Sequence, residues 1–279
     1  MSLDYQLLDV FTDTPLAGNQ LAVFAASERP LASEQMQALA RELNIAESVF
    51  LEPAREGGNV RARIFTPLKE LPFAGHPTLG TAVIVGASER RPEVRLELAA
   101  GIVAVTLDWS GKAPFGRMVQ PQPSWRDCEF ADRAIAALGS PRLRLEPEIY
   151  ANGPEFVIVV LEDEDELAAL VPDLAAVLTL GDYGLYAAAQ TAAGWEVRMF
   201  APAFGILEDP ATGSGAGLLA THLARHGLTA FGQEIVLRQG IRIGRPATLH
   251  ATAHDIERVE VGGAAVLVGE GRFTIQRAI

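Results

Sequence analysis

The sequence repeats itself, and the repeat limits what it can fold into. Arg63-Ile64-Phe65-Thr66-Pro67 precedes Ala74-Gly75-His76-Pro77-Thr78-Leu79-Gly80, and Arg198-Met199-Phe200-Ala201-Pro202 precedes Ala211-Thr212-Gly213-Ser214-Gly215-Ala216-Gly217. Gly18-Asn19 before Leu21-Ala22-Val23-Phe24 has a counterpart in Asn152-Gly153 before Phe156-Val157-Ile158-Val159-Val160. Val94-Arg95-Leu96 leading to Gly101 matches Ile235-Val236-Leu237 leading to Gly240. The offset stays at roughly 135–139 residues, so one register accounts for all four matches. Two similar halves set face to face would enclose a cleft, and each half would bring a glycine-rich helix start to it.

With 279 residues the chain is long enough for two domains around a large apolar core. Its 49% hydrophobic content fits a folded globular protein. The longest apolar runs, such as Ala82-Val83-Ile84-Val85, are too short to span a bilayer, and no signal peptide is visible at the N-terminus. A formal net charge of −12 makes nucleic acid an unsuitable partner, because phosphate binding requires a basic face. Cys128 is the single cysteine, so no internal disulfide can form and a cytoplasmic, reducing location is expected.

Along the chain, strand character is expected at Tyr5–Phe11, Leu21–Phe24, Ser48–Leu51, Val60–Phe65, Phe156–Leu161 and Trp195–Phe200, with a hairpin near Gly101. Met36, Leu39, Ala40 and Leu43 place one apolar stripe on a helix over Glu34–Leu43, with Ser33 as its N-cap. Principal helices are expected from His76 to Val85, where Pro77 suits the first turn, and from Gly213 to His226. A shorter helix is expected from Asp132 to Leu138, and the acidic run 162–166 reads as a solvated helix start. Three prolines and a glycine make Pro114–Pro123 the linker candidate. The first lobe is then 1–117, with 265–279 available to complete it, and the second is 118–264. Arg258–Ile275 alternates like strands.

At a helix start the first N–H groups lack partners and the dipole is positive. Gly75-His76 and Gly213-Ser214 therefore offer two donor clusters for a carboxylate or oxyanion. The competing reading is that the glycines serve only tight helix–sheet packing. Neither segment is a P-loop, and Gly213-Ser214-Gly215-Ala216-Gly217 lacks a dinucleotide fingerprint. Ser214 does not sit in a nucleophile elbow.

Three ionisable residues adjoin these elements. Glu47 enters the apolar Val49-Phe50-Leu51, where desolvation raises a carboxyl pKa and suits proton transfer. His76 stands at a helix start whose dipoles favour neutral imidazole, and Asp209-Pro210 would form a turn aiming a carboxylate at the cleft. His222 and His226 share a helix face, but no third ligand stands near them, so no metal site is expected. His250 and His254 fit a polar strand face.

Gly18-Asn19-Gln20-Leu21-Ala22-Val23-Phe24, Ala46-Glu47-Ser48-Val49-Phe50, Phe73-Ala74-Gly75-His76-Pro77-Thr78-Leu79-Gly80 and Glu208-Asp209-Pro210-Ala211-Thr212-Gly213-Ser214 resemble, in order, the motifs of the phenazine-biosynthesis-like PhzF family. The resemblance implies the α+β fold of diaminopimelate epimerase: two lobes related by pseudo-two-fold symmetry, each a curved, mostly antiparallel sheet around a central helix. It implies a homodimer and no cofactor. Glu47 matches the family's proton-shuttling glutamate, and His76 and Asp209 match its supporting polar residues. Gly75, Gly213 and Ser214 match positions around the substrate and its carboxylate.

Related racemases and epimerases carry a cysteine at each helix start, where this chain has Ala74 and Ala211. The function expected is cofactor-independent isomerisation of a small carboxylate-bearing, cyclic or unsaturated metabolite, without nucleic-acid or membrane partners. An amino-acid racemase or epimerase and a non-catalytic binding protein are the alternatives.

Overall fold

The computed structural model describes residues 2–26 and 30–275 and has a mixed α/β, sheet-rich fold. The chain divides into two compact units, Met1–Met118 with Gly263–Ile279, and Val119–Gly262. Of the segment expected to complete the first lobe, residues 276–279 lie outside the described residues.

The first unit holds strands β1 (Ser2–Val10), β2 (Asn19–Phe24), β3 (Glu47–Glu52), β4 (Val60–Phe65), β5 (Glu70–Leu71), β6 (Glu93–Leu98), β7 (Gly101–Asp108) and β8 (Phe115–Val119). Its helices are α1 (Ser33–Leu43) and α2 (Gly75–Ala87). β2 runs parallel to β3, β3 antiparallel to β4, β4 antiparallel to β5 and parallel to β6, and β6 antiparallel to β7. The apolar stripe Met36, Leu39 and Ala40 on α1 packs into a core with Phe24, Phe50 and Phe65. There Phe24 stacks on Phe50 at 4.5 Å, and Phe50 meets Phe65 edge-on at 5.5 Å. Burying side chains of this size stabilises by about 1.5–3 kcal/mol each, which holds α1 against the sheet.

The second unit holds β9 (Ser124–Asp127), β10 (Glu148–Ala151), β11 (Glu155–Val160), β12 (Tyr183–Thr191), β13 (Gly194–Ala201), β14 (Ile206–Asp209), β15 (Glu234–Gln239) and β16 (Ala247–Ala253). Its helices are α3 (Ala131–Ala137), α4 (Glu164–Ala169), α5 (Leu174–Leu178) and α6 (Gly213–Arg225). The order of pairings found in the first unit recurs. β11 is parallel to β12, β12 antiparallel to β13, β13 antiparallel to β14 and parallel to β15, and β15 antiparallel to β16. The last strand, β17 (Val259–Thr274), pairs with β16 through its first residues and with β1 through Ala265–Thr274.

Two expectations are corrected. Ser33 is the first helical residue of α1 rather than its cap; the N-cap is Ala32, whose N–H donates to the Gln35 side chain at 3.0 Å. The segment expected as a linker holds the boundary between the units, at 118/119, but carries β8 rather than a loop there, because its prolines at 114, 121 and 123 flank the strand rather than interrupt it. Met118 is fully buried, and an added Cβ at Gly116 would lie 3.0 Å from Leu79 of α2.

Candidate active site

In the first unit, β3 begins with Glu47 and α2 begins with Gly75-His76. Both side chains are buried, with Glu47 7% and His76 3% exposed, so the carboxyl is desolvated rather than solvent-facing. His76 Nε2 lies 3.2 Å from Glu47 Oε2. The Asn19 side-chain amide donates to His76 Nδ1 at 3.1 Å, which makes Nδ1 the acceptor and leaves the hydrogen on Nε2. That Nε2 sits 3.3 Å from the Gln20 carbonyl oxygen, a suitable acceptor. Burial pushes the His76 pKa down to about 3, against the hydrogen bond to Gln20. The imidazole is neutral, as expected, but desolvation rather than the helix dipole is the main cause. Its contact with Glu47 is therefore not an ion pair, and the carboxyl lies beside a neutral imidazole in a dry setting.

In the second unit, Asp209 ends β14, is buried at 4% exposure and precedes α6. Thr212 is the N-cap of α6, but its hydroxyl donates to Asp209 Oδ2 at 2.6 Å. Gly213 and Ser214 open the helix and are buried. Their carbonyl oxygens accept from the Gln120 amide at 2.8 Å and the Asn152 amide at 3.1 Å, which fixes the first turn. Neither α2 nor α6 has a side-chain cap on its N-terminus. Their first N–H groups therefore keep the donor capacity of a helix start.

Tight packing also explains part of the glycine pattern. A Cβ added at Gly80 would lie 2.5 Å from Leu21, at Gly215 2.7 Å from the Tyr186 ring, and at Gly217 2.2 Å from Gln120 Oε1. These three glycines let the helices approach the sheet. Gly75, Gly213 and Ser214 stand at the helix starts themselves.

Sequence reasoning missed Thr212, Gln120, Asn152, Gln239 and Tyr186 as neighbours of these residues. The repeated Asn-Gly pair was a signal for Asn152; Gln239 and Tyr186 left none. The Tyr186 hydroxyl is buried without a hydrogen-bond partner. Burial, with the Asp209 charge adding, holds that phenol well above its ordinary pKa.

The structure also corrects the expectation that nothing joins His222 and His226. Glu148 of β10 comes to His222 Nδ1 at 3.0 Å and His226 Nε2 at 3.2 Å, and the three ligand atoms lie within 4.8 Å of one another. Arg225 also reaches the same Glu148 oxygen at 2.8 Å, and the Tyr150 hydroxyl donates to it at 2.9 Å. Burial opposes ionisation of Glu148, but hydrogen bonds from His226, Tyr150 and Arg225 outweigh it and hold the carboxyl at about 2. Burial, with His226 adding, pushes His222 down to about 4. The guanidinium supplies the counter-charge that a metal cation would otherwise bring. His222 Nε2 is buried without a partner, whereas a ligating imidazole ordinarily donates its other N–H. The cluster reads as an ion-paired anchor for the C-terminal end of α6.

No helix among the described residues is long and apolar enough to cross a membrane. A family model described as "Phenazine biosynthesis-like protein" matches residues 8–271. A Pseudomonas fluorescens protein named trans-2,3-dihydro-3-hydroxyanthranilate isomerase is 43% identical, over 98% of this chain and 99% of its own length. A solved Pseudomonas aeruginosa structure described as a "Predicted Epimerase" superposes with a TM-score of 0.84 at 32% identity, covering 98% of this chain and 99% of that one. A probable proline racemase from Agrobacterium radiobacter, at 14% identity and a TM-score of 0.68 over 99% of this chain and 94% of its own, shares the fold alone.

Proposed function

Because the chain belongs to the PhzC-PhzF family of phenazine biosynthesis-like proteins, we propose that it is a cofactor-independent isomerase moving a proton on a small carboxylate-bearing, cyclic or unsaturated metabolite. One observation carries the reading: Glu47 is a buried carboxyl 3.2 Å from a neutral imidazole. A desolvated carboxyl with no cationic partner in that imidazole suits an acid/base that takes a proton and gives it back near neutral pH. The relatives' name makes trans-2,3-dihydro-3-hydroxyanthranilate the first substrate to test.

In this reading Glu47 breaks a C–H bond at one carbon, the adjacent π bond shifts, and the same carboxyl delivers the proton to another carbon. Nothing is oxidised or reduced, and no other group need carry the proton. His76 and Asp209 support the acid/base. The backbone donors of Gly75, Gly213 and Ser214 hold the substrate carboxylate, which lowers the cost of charge developing next to it. Both sets of residues serve one reaction, each supplied by one copy of a duplicated lobe folded around its long helix. The repeated strand pairings and the repeated Arg-x-Phe-x-Pro strands support that duplication. A homodimer working in the cytoplasm completes the proposal.

The test is Glu47→Gln, which keeps the shape and removes the proton carrier. Turnover of trans-2,3-dihydro-3-hydroxyanthranilate is expected to fall by about 10²–10⁴-fold with the melting temperature unchanged. A normal rate in that variant removes Glu47 from the mechanism.

A further inference from the structure

Threonine at an N-cap ordinarily turns its oxygen onto the N–H groups of the first helical turn. Thr212 does not. Its hydroxyl lies 2.6 Å from Asp209 Oδ2, and a third residue sets its direction. Gln239, fully buried at the end of β15, donates from Nε2 to the Asp209 carbonyl oxygen at 2.8 Å and to Thr212 Oγ1 at 2.9 Å. Its Oε1 accepts from the Thr212 N–H at 3.0 Å. A backbone carbonyl only accepts and a backbone N–H only donates, so the Gln239 amide has one workable orientation. In that orientation Thr212 Oγ1 accepts from Gln239, and its own hydrogen goes to the carboxylate. Reversing the last step, with a proton on Oδ2 pointing at threonine, would leave the Thr212 O–H without an acceptor among these partners. The polarity therefore runs one way, from backbone to amide to hydroxyl to carboxylate.

The packing keeps Gln239 in place. Gly240 follows with φ of +74°, and a Cβ there would lie 2.7 Å from the Pro210 carbonyl oxygen. The end of β15 thus rests against the turn that carries Asp209. Ionisable residues beside Asp209 include Tyr186 and Glu208. Tyr186 shares its cross-strand row through Met199, and the adjacent Glu208 is held by Arg198.

We infer that Gln239 is a positioning residue that acts through Thr212 to keep Asp209 an ionised acceptor at Oδ2. The inference rests on the proposed function only in taking Asp209 as part of the site; the relay itself needs no substrate to be tested. The full-length protein, labelled with ¹³C at aspartate carboxyls, is titrated by NMR, and the Asp209 signal is identified by its loss in Asp209→Asn. Losing a donor to the charged form raises a carboxyl pKa, so the Asp209 midpoint is expected to rise by about one pH unit in Thr212→Val and in Gln239→Leu. Thr212→Ser is expected to restore the wild-type midpoint. The acid limb of kcat/KM for trans-2,3-dihydro-3-hydroxyanthranilate should move by the same amount.

Should Gln239→Leu fail to fold, Thr212→Val carries the same test. An Asp209 midpoint that stays put in Thr212→Val overturns the relay, leaving Gln239 and Thr212 as packing. A midpoint that moves while Glu47→Gln keeps full turnover upholds the relay and discards the reaction proposed above.

Discussion

The two units use the same strand pairings but place their acids differently. Arg63-Ile64-Phe65 and Arg198-Met199-Phe200 set the correspondence. Ser48 lies opposite Phe65 and Leu185 opposite Phe200, so Glu47, one residue before Ser48, corresponds to Gly184. The parallel neighbours agree, since Leu21 pairs with Glu47 and Phe156 with Gly184. On the other side, Leu71 faces Ile64 whereas Asp209 faces Met199. The first unit thus carries its acid on β3 and an apolar residue on β5, and the second unit reverses this. A Cβ at Gly184 would lie 2.7 Å from Phe156 Cδ1, so an aromatic ring occupies the space a second Glu47 would need. The strand pairings recur, and each unit carries its acid at a different place in them.

Moving the acid from one unit to the other has the largest expected effect. The double variant Glu47→Gln, Gly184→Glu restores the carboxyl count but not its place. Its turnover is expected to stay about 10²–10⁴-fold below wild type. Recovery of activity in a steady-state assay would mean that the two positions are interchangeable.

A second difference lies in the buried histidines. In the folded chain His76 titrates near 3 and His222 near 4, against an ordinary value of 6.5. Both are lowered, so the unfolded chain binds protons first as pH falls, and stability is lost below pH 6.5 until the folded pKa is reached. Within that window each group contributes a slope of about 1.4 kcal/mol per pH unit. Urea unfolding from pH 7 to pH 4 should show a flatter pH dependence in His76→Gln, with a smaller flattening in His222→Gln, whose window closes sooner. An unchanged slope in His76→Gln would mean that its imidazole is protonated in the folded state.

The repeated arginines sharpen the comparison further. Arg63 forks onto Glu70 at 2.6 and 2.8 Å, and Arg198 onto Glu208 at 2.8 and 3.0 Å, each over its own phenylalanine ring. Each arginine also donates beyond its glutamate, Arg63 to Ser33 Oγ at 2.9 Å and Arg198 to the Leu170 carbonyl at 2.8 Å, and the glutamate of Arg198 is the less exposed of the two. Arg198→Ala should cost about 2–3 kcal/mol and Arg63→Ala about 1 kcal/mol or less, measured by denaturant unfolding. Equal costs would show that the deeper burial of the Arg198 pair and its carbonyl bond add nothing beyond what Arg63 gains from Ser33. Gly184→Ala should fall between the two arginine variants, at about 1–2 kcal/mol, because the Phe156 ring must shift to admit a methyl group.

Much of the frame was legible in the sequence because its signals are local. Val60–Phe65 was readable as a strand from its own residues, and the start of α6 from its glycines and the preceding Asp-Pro. The apolar stripe gave α1 to within a residue, although the cap was misplaced from Ala32 to Ser33. The proline-rich 114–123 segment does hold the boundary between the units, but the strand within it was not read, because proline marks a strand's flank as readily as a loop. What supports the site was hidden for a different reason. Gln239 reaches Thr212 from 27 residues away, and Glu148 reaches His222 from 74, distances over which no periodicity speaks. Glu47 and His76 could be named from their motifs. Only the structure supplied the 3.2 Å contact and the desolvation that keeps the imidazole neutral.

The central claim is that one carboxyl takes a proton and returns it. Its most direct test is a single turnover in ordinary water of trans-2,3-dihydro-3-hydroxyanthranilate deuterated at the carbon that loses its hydrogen. NMR is expected to find deuterium on the product carbon that gains hydrogen, carried there by Glu47. Complete loss of the label to solvent, with inversion at the original carbon and no shift of the double bond, would contradict it.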